Sequence, residues 1–546
     1  MKEFYSYGTI DYDEHFCVPR NRLVDKCVRM ITGNPEKGGC YFTIWGSCQT
    51  GKTWLSQQVK QKIDSLFSDK FITGFMSMQG VLLEDTCADE EFFDEMPLLV
   101  WETFGVSSSF KMARWSDFKR IFARNNGIFD KPVILFIDEF DSLPLKIKNR
   151  LISLFCDMYL KRESYLLHGL ALISHSSVLG VDSLKESLFD IRRSLHVSTF
   201  SFTEVDELFR QYYEETGQKI ELEVIHELYK VTQGQPGLTS WFCELLTRKY
   251  NPGKDEIIDL SIWKKVYEKA VVSEWNNSLL RMVIKAKGEY LSDVMDLFAS
   301  FDMEFGFDTD WCNSLYHEGI MDIAVKVAND GEEISVRRFS SPFIQHRLFN
   351  ELTSDMSVAG CSVPVLEYED DLSDVFKGKN LNLFPLFERY ENYLSRLKAH
   401  KQNLFQCRQR KNDKRLTRAD GYFYFYAWIK EVLSYHCVVN FRFPAEKGTV
   451  NLNIKCGNKQ GVIEIKRFKN FMETEDACIQ AADNARQSGI KDIFIAIFVQ
   501  TESEGILDKI SGIRMVDGIR VRVIAFLNEL IICREKYIDN PERGEK

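Results

Sequence analysis

The octet GSCQTGKT places Gly46, Gly51, Lys52 and Thr53 in the spacing GxxxxGKT. Glycines there let the backbone turn tightly, so that the amide groups of Ser47, Cys48, Gln49 and Thr50 converge on one anion. Lys52 would neutralise the outer phosphates of a nucleotide, and the Thr53 hydroxyl would ligate Mg²⁺. Further on, ILFIDEFD closes an apolar run with Asp138, Glu139 and Asp141. Asp138 would hold Mg²⁺ through water, and Glu139 would position or deprotonate an attacking water. Acids in that place also suit a plain helix N-cap. A third run, GLALISH, ends in Ser174 and His175. A polar side chain there would sense a γ-phosphate, or would simply end a strand in solvent.

A second constellation lies near the C-terminus. VNLNIKCGNKQGVIEIKRF carries Glu464 and Lys466 two residues apart, and so on one face of a strand. Phosphodiester cleavage by a metal site needs carboxylates for Mg²⁺ and a cation to stabilise the phosphorane. Glu464 would be a metal ligand and Lys466 the cation. The first strand offers Asn451, and a neutral amide is a weak Mg²⁺ ligand. An exposed cross-strand ion pair explains Glu464 and Lys466 equally well.

The elements around these residues follow from periodicity. Residues 41–45 alternate as a strand, and Thr53 to Phe67 repeats apolar residues at helical spacing. Val133–Ile137 reads as a buried parallel strand, and Gly169–His175 as a third. The predicted fold is α/β: a P-loop NTPase parallel sheet with a helical lid, a winged-helix-like middle domain and a C-terminal α/β domain. The core takes 1–200 and the lid 201–253, with Gly234-Gln235-Pro236-Gly237 starting a helix aimed at the nucleotide. In 254–353 the helix Trp311–His317, two β-like runs about Asn329-Asp330-Gly331 and a helix after Ser341 suggest a winged helix. Asp308, Asp310 and Glu318 on its recognition helix would repel DNA. The acidic stretch 354–380 reads as a linker, and 381–546 as the last domain, with a hairpin at Gly457-Asn458.

YFTIW, QTGKT, ILFIDEFD, YLLHGLALIS and VTQGQPGLTSWFCELL together resemble the AAA-like P-loop ATPases of bacteria, related to the STAND and archaeal-type clade. The resemblance covers about residues 10–250 and implies ATP and Mg²⁺ as cofactors. It also draws attention to Arg192 and Arg193, since an arginine after the third strand can reach a γ-phosphate. Such proteins commonly carry Pro-Arg where this chain has Ser47-Cys48. From about 380 to 535 the order helix, hairpin, helix, strand resembles the PD-(D/E)XK nuclease fold, with Gln480 matching a glutamine on the following helix. The two resemblances imply an ATP-hydrolysing enzyme joined to a nuclease-like, nucleic-acid-binding domain that Asn451 marks as degenerate. The alternatives are a STAND-like switch without nuclease activity and an active Mg²⁺-dependent DNA endonuclease.

With 45% hydrophobic and 27% charged residues, the chain excludes collagen-like and low-complexity classes. The longest apolar runs, PVILFI and IFIAIFV, are strand-sized, and the first thirty residues lack the apolar core of a signal peptide. None of the 14 Cys forms CxxC, which suits buried thiols in a reducing compartment. A cytoplasmic, membrane-free protein is expected, with ATP, DNA and an unidentified protein as partners. The net charge of −10 is unevenly spread. Of 70 basic and 80 acidic residues, 28 and 21 fall in 381–546, leaving 42 and 59 elsewhere. The C-terminal part is therefore the basic one, and Arg408, Arg410, Lys411, Lys414 and Arg415 concentrate the excess.

Overall fold

The computed structural model describes the chain apart from residues 1, 7, 9, 35–37, 85, 107–110, 126–127, 176–193, 300–309, 328–332, 356–362, 368–369, 378–379, 400–419, 434–435, 443–449, 469, 488, 500–504 and 528–546. It forms two compact units. The first comprises Met1–Lys269 together with Tyr316–Gly319, and the second Ala270–Leu315 with Ile320–Lys546.

The first unit is built on five parallel strands: β1 (Tyr41–Trp45), β2 (Ile72–Ser77), β3 (Val133–Asp138), β4 (Leu167–Ser174) and β5 (Leu195–His196). Their order is β2-β3-β4-β1-β5. Every residue of β3 is buried, because the sheet is covered on both faces. Val133, Leu135 and Ile137 enter one core with Phe92, Phe118 and Phe155, while Ile134 and Phe136 enter the other with Ile31, Leu55 and Val59. Because the strands run parallel, the C-terminal ends of β1, β3 and β4 lie at the same edge, where open parallel sheets bind ligands.

Three helices follow: Phe202–Thr216, Leu222–Thr232 and Pro236–Glu244. The first begins in a capping box, Ser201 Oγ accepting from Glu204 N at 3.2 Å and Glu204 Oε2 from Ser201 N at 2.8 Å. The third has Pro236 at its first position, as the GQPG signal requires.

In the second unit, helix Asn277–Lys287 is followed by Leu291–Ala299 and by an antiparallel hairpin of β6 (Met321–Val327) and β7 (Glu333–Phe339). Helix Pro342–Asp355 follows the hairpin. The turn expected at residues 329–331 and Asp308 lie outside the described residues.

The C-terminal sheet holds β8 (Val438–Arg442), β9 (Val450–Cys456), β10 (Lys459–Arg467), β11 (Asp492–Val499), β12 (Gly512–Val516) and β13 (Ile519–Leu527), in the order β12-β13-β11-β10-β9-β8. Strands β10, β11 and β13 run parallel, with antiparallel neighbours outside them. Here too β11 alternates. Ile493, Ile495 and Ile497 pack with Ala481, Ala482 and Ala485 of helix Phe471–Gln487. Phe494 and Phe498 face Phe387 and Phe425 of the helices Phe384–Ala399 and Asp420–Leu433.

The stretch 354–380 differs from the expected linker. Its described part buries Val363 and Val375 and forms a short helix, Ser373–Phe376. Three of its described acids have cation partners while keeping solvent contact: Arg389 pairs with Asp370 and Asp374, and Arg396 with Glu367. An acidic run reads as mobile only while its basic partners, on a helix further along the chain, stay unrecognised.

Candidate functional sites

The GSCQTGKT loop joins β1 to helix Lys52–Phe67. Gly46 is required by space, since a Cβ there would stand 2.6 Å from the Val197 carbonyl oxygen. Gly51 is required by backbone, at φ +88°. Lys52 is buried, with Nζ donating to the carbonyls of Gly46 at 2.9 Å and Ser47 at 3.0 Å. Thr50 Oγ1 donates to Ser47 O at 3.0 Å. Burial pushes the Lys52 ammonium down from its ordinary range, opposed by charge on Cys48, Asp141, Glu139 and Asp138. The start of helix Pro236–Glu244 abuts the loop: a Cβ on Gly237 would lie 2.3 Å from Gln49 Oε1.

Across the intervening β4, the end of β3 supplies the acids. Thr53 Oγ1 donates to Asp138 Oδ2 at 2.7 Å, joining two residues 85 positions apart. Asp138 is buried, and its carboxyl is pushed up by burial, with Glu139 adding to the shift and the Thr53 hydrogen bond opposing it. Glu139 follows at φ +54°, a left-handed conformation uncommon for a non-glycine residue, and its N–H donates to Asp138 Oδ1 at 3.0 Å. The turn leaves the Glu139 side chain part-exposed beside a buried Asp138.

Asp141 has a role that the sequence reading did not give it. It sits in the 3₁₀ turn Phe140–Ser142 and accepts hydrogen bonds from Ser174 Oγ and from His175 N, the latter at 2.6 Å. The His175 ring Nδ1 also lies 2.6 Å from Asp141 Oδ2. Ser174 Oγ thus donates to an acid. Burial works against charge on both members of the Asp141–His175 pair, yet their hydrogen bonds prevail. Asp141 is held down at about 2 and His175 is raised to about 9, with the Cys48 thiol also bonded to the His175 side chain.

His317 completes this edge of the first unit. Its carbonyl accepts from Cys48 N at 3.1 Å, and its ring centroid lies 6.0 Å from that of His175. Burial lowers its imidazole to about 4. The neighbouring Tyr316 hydroxyl lies 3.3 Å from His196 Nε2. Nothing in the motif announces these contacts. Arg192 and Arg193 lie outside the described residues.

The Asp141–His175 pair has a pH signature. A raised imidazole contributes stability that is complete below its ordinary 6.5 and is lost as pH climbs through about 9. The depressed carboxyl contributes above its ordinary 3.8 and is lost as pH falls through about 2. Melting temperature is expected to fall between pH 6.5 and 9, and His175→Gln to flatten that slope, as differential scanning fluorimetry across a buffer series would show.

At the C-terminal site, Glu464 on β10 lies directly across from Asn451 on β9. Glu464 is 1% exposed; its Oε1 accepts from Asn484 Nδ2 at 2.8 Å, and Lys466 Nζ stands 3.6 Å from Oε2. Burial pushes the carboxyl up, against Lys466 and Asn484, which lower it. Asn451 Oδ1 is buried without a hydrogen-bond partner. Glu464, Lys466 and Asn451 therefore come together, and Asn484, one turn beyond Gln480 on helix Phe471–Gln487, is bonded to Glu464. Among the described residues no three His, Cys, Asp or Glu side chains converge as a metal-ligand set. Arg408, Arg410, Lys411, Lys414 and Arg415 lie outside the described residues. No described helix is long and apolar enough to cross a membrane.

No family model and no curated protein matches the sequence. Among solved structures, the chain is similar to a Walker-type ATPase of Pyrococcus abyssi at 14% identity and TM-score 0.41, over 63% of this chain and 99% of that one. It is also similar to the Aeropyrum pernix ORC1 protein in complex with DNA, at 12% identity and TM-score 0.31, over 65% and 95% of the two chains. The Thermotoga maritima RuvB Holliday junction branch migration motor aligns at 14% identity and TM-score 0.32, over 58% and 91%.

Proposed function

We propose that the first unit binds ATP with Mg²⁺ at residues 46–53 and hydrolyses it. The observation that carries this reading is the meeting of Thr53 and Asp138 at 2.7 Å beside the buried Lys52. A hydroxyl and a carboxylate at that separation form an oxygen donor pair suited to Mg²⁺. Bound there, the ion would draw charge from the β- and γ-phosphates. The loop amides and Lys52 would hold the phosphates, the ammonium exchanging two carbonyls for anionic oxygens. Glu139, part-exposed at the mouth, would orient and deprotonate the water. Equilibrium titration of the full chain with ATP and Mg²⁺, followed by phosphate release, tests the reading. Saturable binding and turnover support it, and an absence of saturable binding overturns it. Tight binding with very slow turnover would instead favour the switch.

For the C-terminal domain the favoured reading is a degenerate nuclease-like domain that binds nucleic acid through its basic excess. A lone carboxylate, Glu464, faces an amide where hydrolytic chemistry needs a second acid. Asn451→Asp is expected to place two carboxylates against each other and lower thermal stability without metal. Added Mn²⁺ is then expected to raise the melting temperature of this variant by several degrees more than that of the parent. Equal responses to Mn²⁺ would show that Asn451 does not occupy a lost ligand position.

A further inference from the structure

Cys48 differs from the other described cysteines in its neighbours. It is part-exposed, its side chain is hydrogen-bonded to His175, and that imidazole is held by Asp141 at 2.6 Å. A nucleophile, an imidazole and a carboxylate that holds the imidazole protonated are thus assembled from the β1 loop, the end of β4 and the turn after β3. An imidazolium hydrogen-bonded to a thiol favours its thiolate, the thiol proton passing to solvent, and the carboxylate holds that positive charge in place. The surrounding charges are compatible. Lys52 lies close enough for charge on Cys48 to help hold it protonated, and burial keeps His317 neutral at ordinary pH. The Cys48 amide also points to the His317 carbonyl at 3.1 Å, which fixes the loop backbone beside the sulfur.

We propose that Cys48 is a reactive thiolate site, stabilised by the imidazolium of His175, which forms mixed disulfides with small disulfides such as oxidised glutathione and thereby closes the loop to phosphate. The Cys48 sulfur attacks one sulfur of the small disulfide. The old S–S bond breaks as the new one forms, and the departing thiolate leaves with the electron pair and takes the proton from His175. Cys48 is oxidised and the small disulfide is reduced, with one small thiol released. The bulk of the adduct then sits among the amides that the phosphates would use. This last step rests on the loop being the nucleotide site; the thiol chemistry does not.

The test is the alkylation rate of each cysteine by iodoacetamide in the full chain between pH 5 and 9, read by peptide mass spectrometry. Cys40 and Cys156, also part-exposed, serve as internal references. At pH 7 Cys48 is expected to react on the order of tenfold faster than either, with a profile inflecting well below the ordinary thiol range. His175→Gln and Asp141→Asn are expected to slow it, the first more strongly. A Cys48 rate and pH profile matching those of Cys40 and Cys156 in the unaltered protein overturns the proposal, whatever the variants do. ATP binding is then measured before and after treatment with oxidised glutathione, and again after dithiothreitol. Loss and recovery support closure of the loop, and full binding by the Cys48 adduct overturns it. Fast alkylation in a protein that never binds ATP would leave the thiolate assignment standing and remove the nucleotide reading.

Discussion

Replacing Lys52 by Ala is expected to weaken ATP binding by on the order of a hundredfold or more, as isothermal titration would show. Lys52 is 8% exposed and its ammonium is held by two loop carbonyls, so the charge is already largely desolvated beside the loop. Removing one partner of a buried, hydrogen-bonded charge pair commonly costs about 2–5 kcal/mol. The same burial works against Lys52 when no phosphate is present, because it disfavours the charged form. Lys52→Met, which keeps the stem and discards the charge, is therefore expected to leave the nucleotide-free protein as stable as its parent or more so. Nucleotide-induced stabilisation should vanish in both variants. Unchanged ATP affinity in Lys52→Ala would remove the loop from the list of nucleotide sites.

The second large effect is expected at Glu139. Glu139→Gln retains shape and a neutral acceptor but cannot take a proton. Turnover should fall by about 10²- to 10⁴-fold while ATP affinity stays within a fewfold of the parent. Asp138 is a different case, because Thr53 donates to it and the pair together would hold the metal. Its loss should therefore appear as lost Mg²⁺ dependence as well as lost rate. Glu139 reaches its part-exposed position through a left-handed backbone, φ +54°, which is uncommon for a non-glycine residue. Equal steady-state rates for Glu139→Gln and the parent would return this acid to the status of a helix cap.

The glycine-rich turn between strand and helix, the acid-ended strand and the parallel sheet between them were legible because each is a local signal: glycine spacing, an unbroken apolar run, a change of period from two to 3.6. The hairpin at Gly457-Asn458 and the helix starting at Pro236 belong to the same class. What escaped is whatever depends on chain segments meeting at a distance. Asp141 looked like a third acid in a cluster, although its partners, Ser174 and His175, lie more than thirty residues away. Asn484, which the sequence did not single out, donates to Glu464 from twenty residues away, one helical turn beyond Gln480. The paired acids of 367–374 read as a tether because their arginines stand on another element.

The make-up of the first unit also limits how the chain can be dissected. A polypeptide ending at Lys269 would hold the loop, the acids and the three helices, and would look complete in outline, yet Tyr316–Gly319 belongs to the same compact unit. Cutting there would strip the Cys48 amide of its acceptor and His196 of its tyrosine neighbour, beside the phosphate cradle itself. Nucleotide affinities measured on such a fragment would describe an altered loop. The smallest faithful unit for enzymology is therefore set by four residues far along the chain, and a single cut cannot provide it.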